Sequence, residues 1–188
     1  MKKQAGFTLI EIAIVLVIIG LLLGGVLKGQ EMMTNAKIKR TSNDYNGMSA
    51  AIFSYLDRYS AFPGDDPNAG VRWGATPGNG DGVIQGNCFS TTATDESVNL
   101  WDHLRLSGLV AGTGTNFPTH AFGGSIGVED NSAGITGAVI CMGAIQGKVA
   151  EILDRQLDDG NGNTGEVRAT ANAAVYGQNT NYTLVKKL

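Results

Sequence analysis

A single glutamate near the amino terminus is the first residue whose position suggests chemistry. Glu11 is the one charged residue between Phe7 and Leu27, in a run that is otherwise almost entirely apolar. A carboxylate inside an apolar helix costs on the order of 2–3 kcal/mol or more unless it meets a partner. A chain cut just before Phe7 would supply that partner. The new α-amino group would lie one helical turn from Glu11, or beside it on a neighbouring helix.

Two acidic, glycine-rich loops carry side chains of the type that binds calcium. The first contains Asn79 and Asp81 and resembles the middle of an EF-type loop, but Pro77 and Cys88 stand at two ligand positions. The second loop has the D-x-N-x-N spacing, although threonines replace the expected glycine and glutamate. Its candidate ligands are Asp158, Asp159, Asn161 and Asn163. Ordinary turns use the same residue types, so no cofactor is required and calcium is the one candidate.

A serine motif and two histidines offer little for catalysis. Residues 123–127 match the hydrolase pattern G-x-S-x-G around Ser125. That pattern needs a preceding strand, a following helix and a histidine later in the chain. Both histidines, His103 and His120, precede Ser125. We therefore expect a turn at this serine, and we predict that the protein is not an enzyme.

Composition separates the segments that must position these residues. The chain has 188 residues, enough for one ordinary domain, and only 16% of them are charged. The net charge of −3 argues against general nucleic-acid binding. Residues 7–27 are long and apolar enough to span a bilayer as a helix. Lys2 and Lys3 favour a cytoplasmic start, so the soluble remainder is expected across the membrane.

The first residues, KKQAGFTLIE, resemble the processing site of type IV prepilins and type II secretion pseudopilins. The likeness comprises the short basic leader, the Gly6–Phe7 junction, Glu11 five positions after the cut, and the long apolar run. The resemblance implies that a membrane-embedded prepilin peptidase cuts between Gly6 and Phe7 and methylates the new amino group. It also implies that Glu11 pairs with the terminal amine of an adjacent subunit.

The helix is predicted to continue well beyond the apolar run. Its downstream part has one apolar face at helical spacing, and Pro63–Gly64 ends it. The residues of that face are Tyr45, Met48, Ile52, Tyr55, Leu56 and Tyr59. Gly20 and Gly24 form a G-x-x-x-G helix-contact motif, and Gly24–Gly25 is a candidate point of unwinding on assembly. The predicted organisation is a leader (1–6), a transmembrane and assembly helix (7–27), its amphipathic continuation (28–62) and a globular head (63–188).

The predicted fold class is α+β and pilin-like: one long amino-terminal helix packed on a small antiparallel sheet, with short helices and long loops. A long loop is expected from Pro63 to about Thr94. The other predicted elements are a helix at 95–107, a strand at 134–142, a helix at 143–158 and strands at 173–176 and 182–185. Across the membrane, a disulfide between Cys88 and Cys141 is permitted and expected, the alternative being two buried thiols.

These features together predict a structural subunit of a type IV pilus or secretion pseudopilus. The implied partners are prepilin peptidase, other pilin subunits, the inner-membrane assembly platform and, before assembly, the lipid bilayer. The precursor would lie in the bacterial inner membrane, and the product in a periplasmic or extracellular filament. Two alternatives remain open: a minor tip subunit that binds DNA, surfaces or proteins through the 63–94 loops, and a signal-anchored periplasmic domain that never polymerises.

Overall fold

The computed structural model describes Gly6, residues 8–171 and residues 173–188. Its helices are α1 (Leu9–Tyr59), α2 (Ala69–Trp73), α3 (Glu96–Leu106) and α4 (Gly147–Leu157). Its strands are β1 (Ile126–Ser132), β2 (Ile135–Gln146), β3 (Val167–Ala169) and β4 (Asn181–Lys187). The chain is α+β with one long helix and a small antiparallel sheet, which confirms the predicted class. It divides into two compact units, of which the first ends at Lys37 and the second is Ile38–Leu188.

The first part of α1 exposes almost everything that is apolar. The large aliphatic side chains from Leu9 to Leu27 are each 46–93% exposed. No proline interrupts this run, so each backbone N–H beyond the first turn can bond within the helix. Among the described residues, α1 is the helix long and apolar enough to cross a membrane.

The later part of α1 is amphipathic and belongs to the second unit. Buried residues recur at spacings of three and four and form one stripe. They are Ile38, Thr41, Tyr45, Ile52 and Tyr55, with Met48 and Tyr59 packed against the same core. The predicted apolar face is therefore confirmed except for Leu56, which is half-buried and outside the core cluster, and the stripe starts two turns earlier than predicted. The Tyr45 hydroxyl donates to the Leu184 carbonyl (3.3 Å), which ties this helix to β4.

The sheet has the strand order β1-β2-β4-β3, and all neighbouring strands are antiparallel. Side chains alternate between its two faces. Met142 and Leu184 belong to the same core cluster as Tyr45. Cys141 and Val185 lie in a smaller cluster on the opposite face. The two central strands are thus buried on both sides, which explains their runs of β-branched and aliphatic residues.

The predicted boundary between strand 134–142 and helix 143–158 is wrong. β2 continues to Gln146, and α4 begins at Gly147. A register irregularity between Met142 and Ile145 accommodates the extra residues, and Ala144 there has φ +56°. Ile145 fits the apolar pattern of α4 as well as that of β2, so periodicity alone assigned it to the helix.

Other predicted elements have mixed outcomes. α3 and β4 confirm the helix at 95–107 and the strand at 182–185 to within one or two residues at each end. The predicted strand at 173–176 is wrong, because a bend and irregular backbone occupy it although Ala173 and Tyr176 are buried. Sequence reasoning missed β1 and β3. It also missed α2, a short helix inside the segment predicted as a long loop.

Candidate assembly helix and its processing site

The predicted cleavage junction lies at the start of the described chain. Gly6 is exposed and not helical, and α1 begins at Leu9. Phe7 lies outside the described residues. Cleavage between Gly6 and Phe7 and methylation of Phe7 therefore stay predictions.

Thr8 and Glu11 form a reciprocal capping box at the start of α1. The Glu11 carboxylate accepts hydrogen bonds from the Thr8 backbone N–H and from the Thr8 hydroxyl, both at 2.8 Å. The Glu11 N–H donates in return to the Thr8 hydroxyl oxygen (3.3 Å). This arrangement satisfies N–H groups that a helix start leaves without partners. Sequence reasoning missed Thr8, although the T-x-x-E spacing was a readable signal.

The two glycines predicted to mediate helix contact lie in the exposed apolar part of α1. A Cβ added at Gly20 or Gly24 would meet no atom within 4 Å. A second helix backbone could therefore approach closely at these positions. In this chain α1 is continuous through Gly24 and Gly25. Assembly contacts at Gly20 and Gly24, and unwinding near Gly24–Gly25, stay predictions.

Comparison with known protein families identifies the amino-terminal segment. Residues 1–27 match the family described as the prokaryotic N-terminal methylation motif. This chain carries the type IV pilin and pseudopilin signature. No curated protein and no solved structure matches the chain. The pilin-type signature thus rests on the leader and the apolar start of α1, and together they are consistent with an inner-membrane precursor.

Cys88 and Cys141 form a disulfide, as predicted, with their Cα atoms 6.2 Å apart. The bond joins the loop before α3 to the central strand β2. Gly127 of β1 leaves room for that loop, since a Cβ there would lie 2.2 Å from the Cys88 carbonyl oxygen. The Glu129 carboxylate accepts a hydrogen bond from the Cys88 N–H (2.7 Å). The loop is therefore fastened both covalently and by a charge-assisted hydrogen bond.

The first predicted calcium loop is folded around carboxylates. Every backbone N–H from residue 79 to residue 85 donates to a side-chain carboxylate. Asn79 and Gln85 donate to Glu96; Gly80, Asp81 and Gly82 to Asp65; Val83 to Asp81; and Ile84 to Asp130. Three carboxylate oxygens, one from each of Asp65, Asp81 and Glu96, lie within 4.8 Å of one another. The structure thus brings Asp81 to two acids outside the predicted set.

The second predicted calcium loop has a similar construction. Asp158 accepts backbone N–H groups of Glu166 and Val167, and Asp159 accepts the Asn161 N–H (2.8 Å). Asn161 in turn accepts the Asn163 N–H (3.2 Å). Asp158 and Asp159 lie with the buried Asp154, which was not predicted, in a second group of acids. Hydrogen bonds within the chain hold both loops, and calcium at either one stays a prediction.

The clustered acids affect one another electrostatically. Burial raises the pKa of Glu96, and hydrogen bonds from the loop N–H groups counteract that rise. Burial also raises the pKa of Asp130, with Asp65 and Asp81 adding to the effect. Asp154 behaves in the same way, because burial raises its pKa against the hydrogen bond from Tyr176 (2.6 Å). Burial thus disfavours the charged form of these three acids, whereas the hydrogen bond from the Thr164 hydroxyl (2.6 Å) lowers the pKa of Asp159 in the second loop.

Sequence reasoning also missed a buried aspartate that organises the end of α1. Asp66 is fully buried and accepts the Tyr55 hydroxyl (2.7 Å) and two guanidinium N–H groups of Arg72 (2.7 and 2.8 Å). The Arg72 guanidinium also lies over the ring of Tyr59, 4.5 Å from its centre. A pair of adjacent acids between two prolines, PGDDP, was the available signal.

The two histidines hold backbone segments together. His103 Nδ1 accepts the Gly64 N–H (2.9 Å), and its Nε2 lies 2.9 Å from the Thr76 carbonyl oxygen. Its partners thus assign the neutral ring with the proton on Nε2. Burial lowers the pKa of His103. His120 is placed in the same way between the Phe122 N–H and the Gly143 carbonyl.

Ser125 lies in a different context from a hydrolase nucleophile. It pairs with Thr119 in an isolated bridge and directly precedes β1, so a strand follows it and not a helix. Its carbonyl accepts the Gly143 N–H (3.0 Å). The strand–turn–helix context of the motif is therefore missing at this serine.

Proposed function

We propose that this protein is a structural subunit of a type IV pilus or secretion pseudopilus. One observation carries the proposal: a pilin-type signature on a helix whose aliphatic side chains, from Leu9 to Leu27, are all exposed. Such a surface is stable only in lipid or against other apolar helices. Before assembly the bilayer covers it, and in the filament sister helices do.

Glu11 acts as the register element in this proposal. In the chain alone its carboxylate is bound to Thr8 of the same helix. After prepilin peptidase cuts between Gly6 and Phe7, a charged amine becomes available on every subunit. An ion pair between this amine and Glu11 of a neighbour fixes the axial offset of two helices, because a slipped register leaves both charges unpaired in apolar surroundings.

Amino-terminal sequencing and the intact mass of the purified protein test the processing step. We expect the chain to begin at a methylated Phe7. An intact Met1 in the mature protein would contradict the proposal and favour the signal-anchored alternative.

Charge removal at Glu11 tests the assembly step. Glu11→Gln keeps the shape and the capping oxygen but removes the charge, so we expect loss of sheared filaments with normal membrane insertion. Glu31→Gln is the matched control, because Glu31 lies on the same helix in an exposed ion pair with Lys28 (2.8 Å). Equal filament yields from the two variants would exclude the pairing role. A chain that is rare in wild-type filaments would instead fit the tip-subunit alternative.

A further inference from the structure

We propose that a groove beside the later part of α1 binds a carboxylate-bearing segment of a second copy of this chain. The inference rests on the proposed function and names the surface of the second unit that contacts a neighbouring subunit. The groove has a volume of about 230 Å³. α1 contributes Asn46, Ala50 and Phe53 to its walls, and β4 contributes Lys186 and Lys187.

The position of Lys186 in β4 is unusual for its surroundings. Tyr182 and Leu184 precede it on the same face of the strand, and both are buried in the main core. Lys186 continues this series opposite the buried Ile140 and is half-buried. An apolar side chain here would extend the core, whereas lysine carries an ammonium group to the rim of the groove.

Neither lysine of the groove is neutralised within the chain. No acidic partner of Lys186 or Lys187 lies within ion-pair distance among the residues that the structure describes. Arg72 differs, because its guanidinium is paired with Asp66 (2.7 Å). Arg155 likewise pairs with Glu151 (2.7 Å). Both lysines line the groove. Because side chains alternate along a strand, Lys186 is the one on the face of Leu184, and its ammonium group remains available to an anion that enters the groove.

Phe53 supplies the apolar part of the same groove. Its side chain is 47% exposed, on a helix face otherwise made of small and polar residues such as Asn46 and Ala50. Aromatic residues are enriched at protein interfaces, so the exposed ring offers an apolar contact to a partner beside the rim lysine. The groove therefore fits a peptide segment that presents a carboxylate next to an apolar group.

The charge of the second unit identifies the occupant as another copy. Residues 38–188 carry fifteen acidic and ten basic side chains, a formal charge of −5. The groove is a cationic patch on this acidic unit, so the acidic surface of a second copy complements it. Because the two patches differ, the contact is heterologous and can repeat along a filament. The same overall charge opposes the approach of nucleic acid.

Charge reversal in cells that assemble the wild-type protein tests the groove. We expect K186E/K187E to reduce sheared filaments about tenfold or more, because like charges then face each other at the contact. Lys148→Glu is the matched control, since Lys148 is an exposed lysine on α4 outside the groove. Thermal unfolding and the Phe7 start must match the wild type in both variants. Wild-type filament yield from K186E/K187E would overturn the proposal.

A photo-crosslink identifies the occupant directly. With p-benzoylphenylalanine in place of Phe53 in the full chain, irradiation should give an adduct of twice the monomer mass. The crosslinked peptide should come from an acidic segment of the second copy. The same probe at Val175, 83% exposed and outside the groove, controls for random collision.

Three other outcomes separate the hypotheses. An adduct with a different protein, or no self-adduct, would overturn the groove proposal even if filaments form. An uncut chain without filaments contradicts the proposed function, and the self-adduct from detergent-extracted membranes then decides the groove by itself. Binding of a short DNA duplex that K186E/K187E abolishes would assign the groove to nucleic acid and overturn the proposal.

Discussion

The apolar start of α1 and the loop that precedes α3 differ in which of their groups find partners within the chain. From Leu9 to Leu27 the helix bonds its own backbone but leaves its large side chains exposed. In the 79–85 loop the side chains are mostly exposed, whereas every backbone N–H is bound by a carboxylate. The first region needs other molecules to cover it. The second is complete within the chain, so perturbing each region should affect a different property.

Removing the disulfide should have the largest effect on the second unit. C88S/C141S opens a loop that the disulfide closes over 53 positions. In the chain-entropy model this lowers the free energy of unfolding by roughly 4 kcal/mol. Urea denaturation of the full chain in detergent, followed by tryptophan fluorescence, measures this change. Membrane insertion should be unaffected, because the apolar helix does not depend on the disulfide. Unchanged unfolding would show that Glu129 and Gly127 alone hold the Cys88 loop.

Neutralising Asp66 should have the next largest effect. Asp66→Asn leaves the Arg72 guanidinium without its countercharge and weakens the bond to the Tyr55 hydroxyl, at a cost of about 3 kcal/mol. Asp57→Asn is the matched control, since Asp57 is an exposed aspartate near the end of α1. A comparison of their unfolding midpoints in urea gives the difference. Equal midpoints would mean that Asp66 does not organise this end of α1.

The folded state was partly readable from sequence, and the reasons differ between regions. α1 was predictable because its buried stripe obeys one period from Tyr45 to Tyr59. The disulfide was predictable because two cysteines allow one pairing. The first signal is a local periodicity, and the second follows from the small number of cysteines.

Long-range partners were not readable. β1 contains the polar run Glu-Asp-Asn, whose two half-buried acids accept the backbone N–H groups of Ile84 and Cys88 from a distant loop. Asp65 and Glu96 gave no signal, since their partners lie 11 to 17 positions away and are backbone amides of any residue type. The sequence therefore predicted the elements whose own residues carry a pattern, and missed the groups whose positions depend on contacts with a distant loop.

Calcium would add a ligand to loops whose backbone N–H groups already have partners within the chain. A site that holds the ion should gain about 2.7 kcal/mol of stability at a hundredfold excess over its dissociation constant. We expect added calcium to raise the melting temperature and chelator to lower it. D81N should remove the shift if the first loop is responsible, and D159N if the second is. No shift in the wild type would remove both calcium hypotheses.

Protonation of His103 should weaken the second unit in mild acid. Burial lowers the pKa of His103, so the unfolded chain binds the proton first as pH falls below about 6.5. The stabilising contribution is present above that pH and is lost on acidification through the folded-state pKa. His103→Asn removes the titration, so its unfolding free energy should fall less between pH 7 and pH 5. An unaltered slope in urea denaturation at these two pH values would contradict this role.

Removing the capping hydroxyl should have the smallest effect, confined to the first region. Thr8→Val keeps the side-chain shape but removes the bonds that the hydroxyl makes with Glu11, costing about 1 kcal/mol at the start of α1. We expect faster hydrogen exchange at the amides of residues 9–12 in micelles and unchanged melting of the second unit.

Thr34→Val is a strict control for this change, because the Thr34 hydroxyl bonds to the Gln30 carbonyl within the same helix (3.0 Å) but caps nothing. Thr8→Ser should restore slow exchange, since it returns the hydroxyl without the methyl group. If Thr8→Val also lowered the melting temperature of the second unit, the two regions would be coupled along α1. The exposed apolar helix and the hydrogen-bonded loop region would then unfold as parts of one cooperative structure.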